Sequence, residues 1–341
     1  MAESVLYLRL PGLLGPLPAD AVNLIASDAP LERFAGFLSR GRRQRSKRHQ
    51  PLIAPGFTLA PSSERPPVGP LSFLGDGGDP GAGYWLRADP VQLVADRDQV
   101  RLLGPNTLAL QAHEADRLVR DFNAFFGGDG IELHIGAPGR WYLRCTATPD
   151  LETTPLHCVL GGSVDAALPT GDDAATWRAR LNEIQMFFHA HPVNQEREMH
   201  GMAPVNGIWP WGGGHLPEVS SRWARVFSDD PLVTGLGLRA GVMVSGWPAC
   251  PDESLVAGEG DTLFAGAMPV VSDGETFQEW EAALSGVAGG WTPVLDRALA
   301  AGACDAVQID TGAAGVWTIR RRDRWAFWRR SRSLARLLLT E

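Results

Sequence analysis

The chain has 341 residues, of which 44% are hydrophobic, and its 31 basic and 39 acidic side chains leave a net charge of -8. That apolar content fills the core of one large α/β domain or two ordinary ones, and the acidic balance argues against a general nucleic-acid binder. The opening MAESVLYLRLPGLLG has no basic residues ahead of its apolar run, and Pro11, Gly12 and Pro16 break it well short of a membrane span. A cytoplasmic protein without membrane attachment is expected. Cys145, Cys158, Cys250 and Cys304 are widely spaced with no CxxC pair, which suits four reduced thiols better than a disulfide framework or a zinc knuckle.

In chain order, Val5 to Leu10 reads as a strand and Ala29 to Leu38 as a helix. A run of Arg40, Arg42, Arg43, Arg45, Lys47 and Arg48 follows with no acid among them, and residues 51 to 83 are so rich in Pro and Gly that they read as an extended connection. WLRADPVQLVADRDQVRLLG alternates as a strand and hairpin should. Leu118, Val119, Phe122, Phe125 and Phe126 recur at helical spacing between Ala112 and Phe126, and RWYLRC reads as a short strand. A second helix begins after Asp172, carries Trp177, Leu181, Ile184 and Phe188 on one stripe, and stops at His191 because Pro192 follows. The last third predicts strands near 238 to 245, 305 to 309 and 316 to 320, separated by helical stretches FQEWEAAL and WTPVLDRALAAG. Strands alternating with helices predict a largely parallel sheet covered on both faces.

The densest stretch holds His191, Pro192, Val193 and Asn194, then Arg197, Gly201, Pro204 and Asn206, then Trp209 to Pro217 with the triple glycine Gly212, Gly213, Gly214 and His215. A helix end, a turn-rich passage and glycines beside two indoles can bring amides, Arg, His and Asn onto a small anion. A tightly packed corner asks for the same residues, so spacing alone leaves both readings open. Trp209, Trp211 and Trp247 beside Gly or Pro suit either an aromatic platform or the core. His189 and His191 alternate at a helix end, but no further ligand stands at metal-like spacing.

The run HPVNxxRxxxGxxPxN with its WGGG loop resembles the signature of the archaeal-type cofactor-independent phosphoglycerate mutases, members of the alkaline phosphatase superfamily. It is also similar to bacterial proteins labelled regulators of pathogenicity factors. The likeness spans roughly residues 84 to 217, with RADPVQLVADRDQV opening the inserted domain and GRWYLR in place of a Gly-His-Arg strand. It implies an alkaline phosphatase-like α/β fold: a mostly parallel sheet flanked by helices, with an inserted smaller α+β domain at 84–217 between core segments 1–83 and 218–341. It nominates Arg140, His191, Asn194, Arg197, Asn206, Trp211, Gly212, Gly213, Gly214 and His215 for binding a small anionic metabolite. Arg140 leads them, since a guanidinium takes a phosphate or carboxylate by two parallel hydrogen bonds.

The resemblance also implies a phosphoserine intermediate and two divalent metals held by Asp and His. Where the family has an Asp-Gly turn after the first strand, this chain has Leu10-Pro11-Gly12. Ala29 to Phe34 faintly echoes the nucleophile neighbourhood, with Ser27 as the nearby hydroxyl, and Asp310 stands where an Asp-His-Ser motif is expected. All eight histidines precede residue 216, so the C-terminal histidine motifs are absent. No cofactor is therefore expected. Magnesium or manganese enters only if carboxylates such as Asp252, Asp261, Asp273, Glu275 and Asp310 build a rearranged site, and solvated loop acids account for them otherwise.

The leading expectation is a phosphoglycerate mutase-like protein without the two-metal site, binding a small phosphorylated or carboxylated metabolite in a regulatory role. One alternative is an active metal-dependent mutase or phosphatase with a rearranged site. Another is an interaction protein with a vestigial pocket and an arginine-rich contact surface, built from the run at 40 to 48 and from Arg320, Arg321, Arg322, Arg324, Arg329, Arg330, Arg332 and Arg336 interleaved with Trp325, Phe327 and Trp328. The acidic total favours a terminal helix docked on the body over nucleic-acid binding, and leaves a protein partner open.

Overall fold

Val5–Arg9 lies at the centre of a seven-stranded sheet whose order is Met243–Ser245, Trp223–Ser228, Asp261–Ala265, Val5–Arg9, Ala306–Asp310, Val316–Arg320 and Arg42–Gln44. The first five strands are mutually parallel, Val316–Arg320 runs antiparallel to them, and Arg42–Gln44 is antiparallel in turn to Val316–Arg320. The computed structural model describes residues 4–15, 17, 25, 28–45, 53–96, 99–256, 258–269, 271, 274–325 and 332–338. The chain divides into two units, Met1–Phe57 with Ser220–Glu341, and Thr58–Val219.

In the first unit, Val5, Leu6, Tyr7 and Leu8 are all buried, as a parallel strand covered on both faces requires. Helix Ala29–Arg40 starts where the Asp28 carboxylate accepts the Leu31 N–H at 2.8 Å, and Leu31, Phe34, Phe37 and Leu38 form its buried stripe. They join Trp280, Leu284, Trp291 and Leu295 of helix Gly274–Ala301 in one core with Leu6, Leu8, Ile309 and Ile319. The two helical stretches read from the sequence are thus one 28-residue helix that continues through Pro293. Strands Trp223–Ser228 and Asp261–Ala265 are additional to those read from the sequence. The stretch read as a strand from 238 is the end of helix Pro231–Arg239, and only Met243–Ser245 pairs.

The second unit is built on a five-stranded antiparallel sheet. Its 13-residue strand Tyr84–Asp96 pairs with Gln99–Leu103, Arg140–Cys145 and Gly207–Gly214, and Ile131–Ala137 pairs with Arg140–Cys145. Leu86, Ala88, Leu133, Trp141, Leu143 and Ile208 pack under helices Ala112–Phe126 and Ala174–His189, which contribute Leu118, Phe122, Trp177, Ile184 and Phe188. The expected strand, hairpin and helix between 84 and 145 are present, although Phe125 is 68% exposed rather than on the buried stripe.

Three local expectations are corrected. Residues 51 to 83 are not merely an extended connection: they contain strand Phe57–Ala60 and helix Val68–Gly75, in which Val68, Leu71 and Phe73 are buried. Pro70 lies in the first helical turn, where a missing N–H breaks no helical bond. His191 does not close a helix; it is the N-cap of a new one, Pro192–Met199, with Pro192 in the first turn. The triple glycine does not lie in a turn but completes strand Gly207–Gly214. With these differences, the arrangement is alkaline phosphatase-like: a mostly parallel sheet flanked by helices, with a smaller α+β unit inserted in the chain.

Candidate functional site

Directly opposed residues of an antiparallel pair share a face of the sheet. In the second unit this register joins Trp85 to Arg144, Arg87 to Tyr142, Arg87 to Trp211, His134 to Tyr142 and Glu132 to Arg144. Their neighbours Leu86, Leu133 and Leu143 point into the core beneath the helices. One side of the sheet is therefore apolar, and the other carries arginines, acids and aromatic rings.

At the centre of the polar face, Asp76, just past helix Val68–Gly75, receives three bonds. Arg140 donates through Nε at 2.7 Å and Nη2 at 2.6 Å, and the Tyr142 hydroxyl donates at 2.5 Å. Burial of Tyr142, reinforced by Asp76, holds its phenol well above its ordinary pKa and so protonated. Burial works against the charged form of Arg140, but Asp76 outweighs it and the guanidinium pKa is raised. A Cβ at Gly136 would stand 2.7 Å from the Tyr142 ring and closer still to Asp76, so glycine is what lets this carboxylate in.

A second arginine faces the same ring. The Arg87 guanidinium lies 5.5 Å from the ring centres of both Tyr142 and Trp211, a cation–π sandwich. Its Nη2 is 2.5 Å from Asp89 Oδ1, and Asp89 Oδ2 accepts the Trp211 indole N–H at 3.0 Å. Asp76, Arg140, Tyr142, Arg87, Asp89 and Trp211 thus form one continuous polar chain. Arg140 keeps 30% of its side chain exposed and Arg87 14%. Such paired guanidiniums, oriented by carboxylates and backed by rings, can receive the oxygens of a small anion.

Of the residues nominated from the sequence, Arg140 and Trp211 belong to this network. Asn194 and Arg197 lie apart from it, 2% and 1% exposed. The Asn194 amide donates to the Phe188 and Val205 carbonyls and accepts from the Val205 N–H. Arg197 bonds the Ala203 carbonyl at 2.9 Å, Glu114 at 2.6 Å and the Leu108 carbonyl. His191 Nδ1 accepts the Val193 N–H, which makes the ring a helix cap, and its Nε2 lies 3.2 Å from Asp121. Burial pushes the His191 pKa down, against the pull of Asp121. Asn206 bonds both the N–H and the carbonyl of Leu93, stitching two strands. Cβ atoms at Gly212 and Gly214 would come within 2.7 Å of Val68 and 2.5 Å of Pro67, so the glycines permit close packing.

His215 is in a third place. It lines a cavity of about 540 Å³ with Trp85, His134, Arg144, Thr146 and Thr148. Its Nδ1 faces the Ala82 and Gly83 carbonyls at 3.2 Å and therefore carries the proton, leaving Nε2 to accept from Thr148 Oγ1 at 3.0 Å. Sequence reasoning missed Arg87, Asp76 and Tyr142. Alternation with Arg140 and Asp89 along their strands flags Tyr142 and Arg87; Asp76 stands in a stretch that reads as a loop and gives no such signal.

Among the described residues, the carboxylates of the first unit are engaged by other groups and are not gathered as metal ligands. Asp310 accepts from the Gly312 N–H at 3.0 Å and the Tyr7 hydroxyl at 3.1 Å, with Arg9 at 3.9 Å. Asp261 accepts the Val5 N–H and pairs with Arg222, while Asp252 accepts from Ser254. Among the described residues, no three or more His, Cys, Asp or Glu side chains come together as metal ligands. Ser27, Lys47, Arg48, Asp273, Phe327, Trp328, Arg329, Arg330 and the side chain of Glu275 lie outside the described residues. Among those described, no helix is long and apolar enough to cross a membrane.

No family model matches the chain. Its sequence is similar to the 2,3-bisphosphoglycerate-independent phosphoglycerate mutase of Methanosarcina mazei, 32% identical over 143 residues that make up 40% of this chain and 36% of that one. It is likewise similar to the probable enzyme of that name from Geobacter sulfurreducens, 27% identical over 170 residues, 47% of this chain and 42% of the other. The matched stretch thus spans between about a third and two-fifths of the length of these curated relatives. Among solved structures, the PH0037 protein of Pyrococcus horikoshii has the same fold, with a TM-score of 0.55 and 16% identity across 93% of this chain and 86% of that one. The chain is phosphoglycerate mutase-like in sequence over two-fifths of its length, and alkaline phosphatase-like in fold.

Proposed function

We propose that this protein binds a small phosphorylated or carboxylated metabolite on the Arg87–Tyr142–Arg140 face of its second unit, and that occupancy serves regulation rather than two-metal phosphoryl transfer. The observation that carries the reading is the joining of two partly exposed guanidiniums to one buried tyrosine, Arg87 over the Tyr142 ring and Arg140 through the shared acceptor Asp76. The sequence similarity to phosphoglycerate mutases supports an acid such as 3-phosphoglycerate as the ligand class. Asp76 and Asp89 hold the arginines in position before the ligand arrives, which lowers the ordering cost of binding. In the first unit, Asp310 and Asp261 are engaged by Tyr7, Arg9 and Arg222, which supports a role without metal-activated chemistry.

Thermal-shift titration with 3-phosphoglycerate tests the binding step. Saturable stabilisation that disappears in Arg140→Ala is expected, with no interconversion of 2- and 3-phosphoglycerate in the presence of manganese or magnesium. Turnover abolished by a chelator would restore the active-mutase reading. Absence of stabilisation at millimolar ligand would leave the pocket vestigial.

A further inference from the structure

Helix Ala174–His189 carries more apolar surface than its packing uses. Trp177, Ile184 and Phe188 are buried in the core of the second unit, whereas Met186 beside them is 73% exposed and Phe187 is half-buried. Helix Ala112–Phe126 repeats this at its last turn, burying Phe122 and Phe126 and leaving Phe125 in solvent. Three contacts show that the two helices run antiparallel. His191, just past the first, faces Asp121 at 3.2 Å; the Phe187 ring centre lies 5.4 and 5.6 Å from those of Phe125 and Phe126; and Arg180 Nη2 bonds the Asp129 carbonyl at 3.2 Å. The groove along this seam is a cavity of about 650 Å³, within the range of small-molecule sites.

Its charge is one-sided. Glu183, Met186 and Phe187 stand three and four positions apart on one face of their helix, so the carboxylate of Glu183 joins Asp129 at one end of the apolar wall while His191 stands at the other. Asp129 and Glu183 are exposed, and no Lys or Arg is among the described residues that line the groove. The nearby guanidiniums are engaged: Arg120 with Asp121, Arg117 with Glu196, and Arg180 over the Trp177 ring. Burial keeps the His191 imidazole uncharged at neutral pH. The carboxyl end of helix Ala112–Phe126, the negative pole of its dipole, comes just before Asp129.

We propose that this groove binds a small organic amine, with its ammonium group at the Asp129–Glu183 end and an aromatic or branched aliphatic body over Phe125, Phe187 and Met186. Rings and carboxylates together select that class. Aromatic faces attract the same cation that the carboxylates hold, an anion is repelled by both, and a neutral apolar molecule gains the rings alone. The cavity takes the whole of a small ligand but only a few side chains of a docking helix, which favours the small molecule. The site lies on the helical side of the sheet, whereas Arg87 and Tyr142 belong to the other, so it stands apart from the anion-binding reading.

The test is isothermal titration of the full chain with 2-phenylethylamine, beside its neutral and anionic counterparts 2-phenylethanol and 3-phenylpropionate. The amine should bind saturably, and about fivefold or more tightly than either counterpart. Asp129→Asn/Glu183→Gln should erase that preference without weakening the alcohol, and Phe125→Ala should weaken the amine. All three side chains are exposed, circular dichroism checks that the variants are folded, and Glu183→Gln alone replaces the pair if the pair is not. Four results would overturn the proposal: no saturable binding at about 10 mM amine, equal affinity for amine and alcohol, a preference that survives in the folded carboxylate variant, or self-association of the chain that Phe125→Ala abolishes, which would give the groove to a second copy.

Discussion

Arg197 Nη1 lies 2.6 Å from Glu114 Oε2, and the two side chains are 1% and 9% exposed. The same Glu114 oxygen accepts the Gln111 N–H at 2.8 Å, so one carboxylate caps helix Ala112–Phe126 and anchors helix Pro192–Met199. Arg197→Met leaves that buried charge unpaired and should destabilise the protein by about 3–5 kcal/mol. Urea denaturation of the single and double variants checks this: Glu114→Gln added to Arg197→Met should recover part of the loss.

The pH response follows from one buried imidazole. Burial depresses the pKa of His191 in the folded state, against the pull of Asp121, so the unfolded chain binds more protons as the pH falls. Its contribution to stability is fully present above about pH 6.5, the unfolded value, and diminishes below it toward the folded value. Melting temperature should drop on acidification through this range. His191→Asn, which keeps a capping side chain, should flatten the response, and a wild-type slope in that variant would clear His191 of the effect.

Asp76 restrains Arg140, so removing its charge separates affinity from stability. Asp76→Asn keeps a side-chain oxygen that accepts from Arg140 and so keeps it in position, but removes the charge that competes with the ligand, and binding of 3-phosphoglycerate should tighten by a few-fold. It should also lower the melting temperature, because Arg140 and Tyr142 lose a shared charged acceptor. Isothermal titration beside thermal melting reads both.

Glycine replacements discriminate packing from ligand contact. Gly212 has φ +62° and a Cβ there would press on Val68, so Gly212→Ala should cost about 1–3 kcal/mol without any ligand present. Gly127 has open space around it and φ -58°, so Gly127→Ala should be close to neutral in the same denaturant titration.

Thiol labelling should fall into two classes. Cys158 and Cys250 are exposed and should react with an aromatic disulfide reagent in the native protein. Cys145 and Cys304 are buried, which pushes each thiol up to about 12, and should react only on unfolding.

Much of the fold was legible where the pattern is local. The amphipathic stripe from Leu118 to Phe126 and the alternation of RWYLRC each gave an element of the right kind, and the alternation of strands and helices gave the parallel sheet. What failed was long-range. Nothing local says that Gly212, Gly213 and Gly214 lie in a strand, because their reason is the close approach of Val68 and Pro67 from far upstream. His191 before Pro192 reads as an ending, although a β-region residue before proline also suits an N-cap, and only the bond from Val193 decides between them. For the site, Arg140 was reached through the resemblance of GRWYLR to a family strand. Asp76 was not, since its role exists only once its loop is folded against the sheet.

The second unit is spliced into the first between residues 57 and 220, and the Arg222 N–H bonds the Gly56 carbonyl at 3.0 Å. The two severed ends of the host are therefore held as neighbours by the host itself. A loop of a few residues in place of 58–219 would span them and leave every strand pair of the seven-stranded sheet as it stands. The insert is a cassette, and substitutions on its polar face leave the sheet that hosts it unaltered.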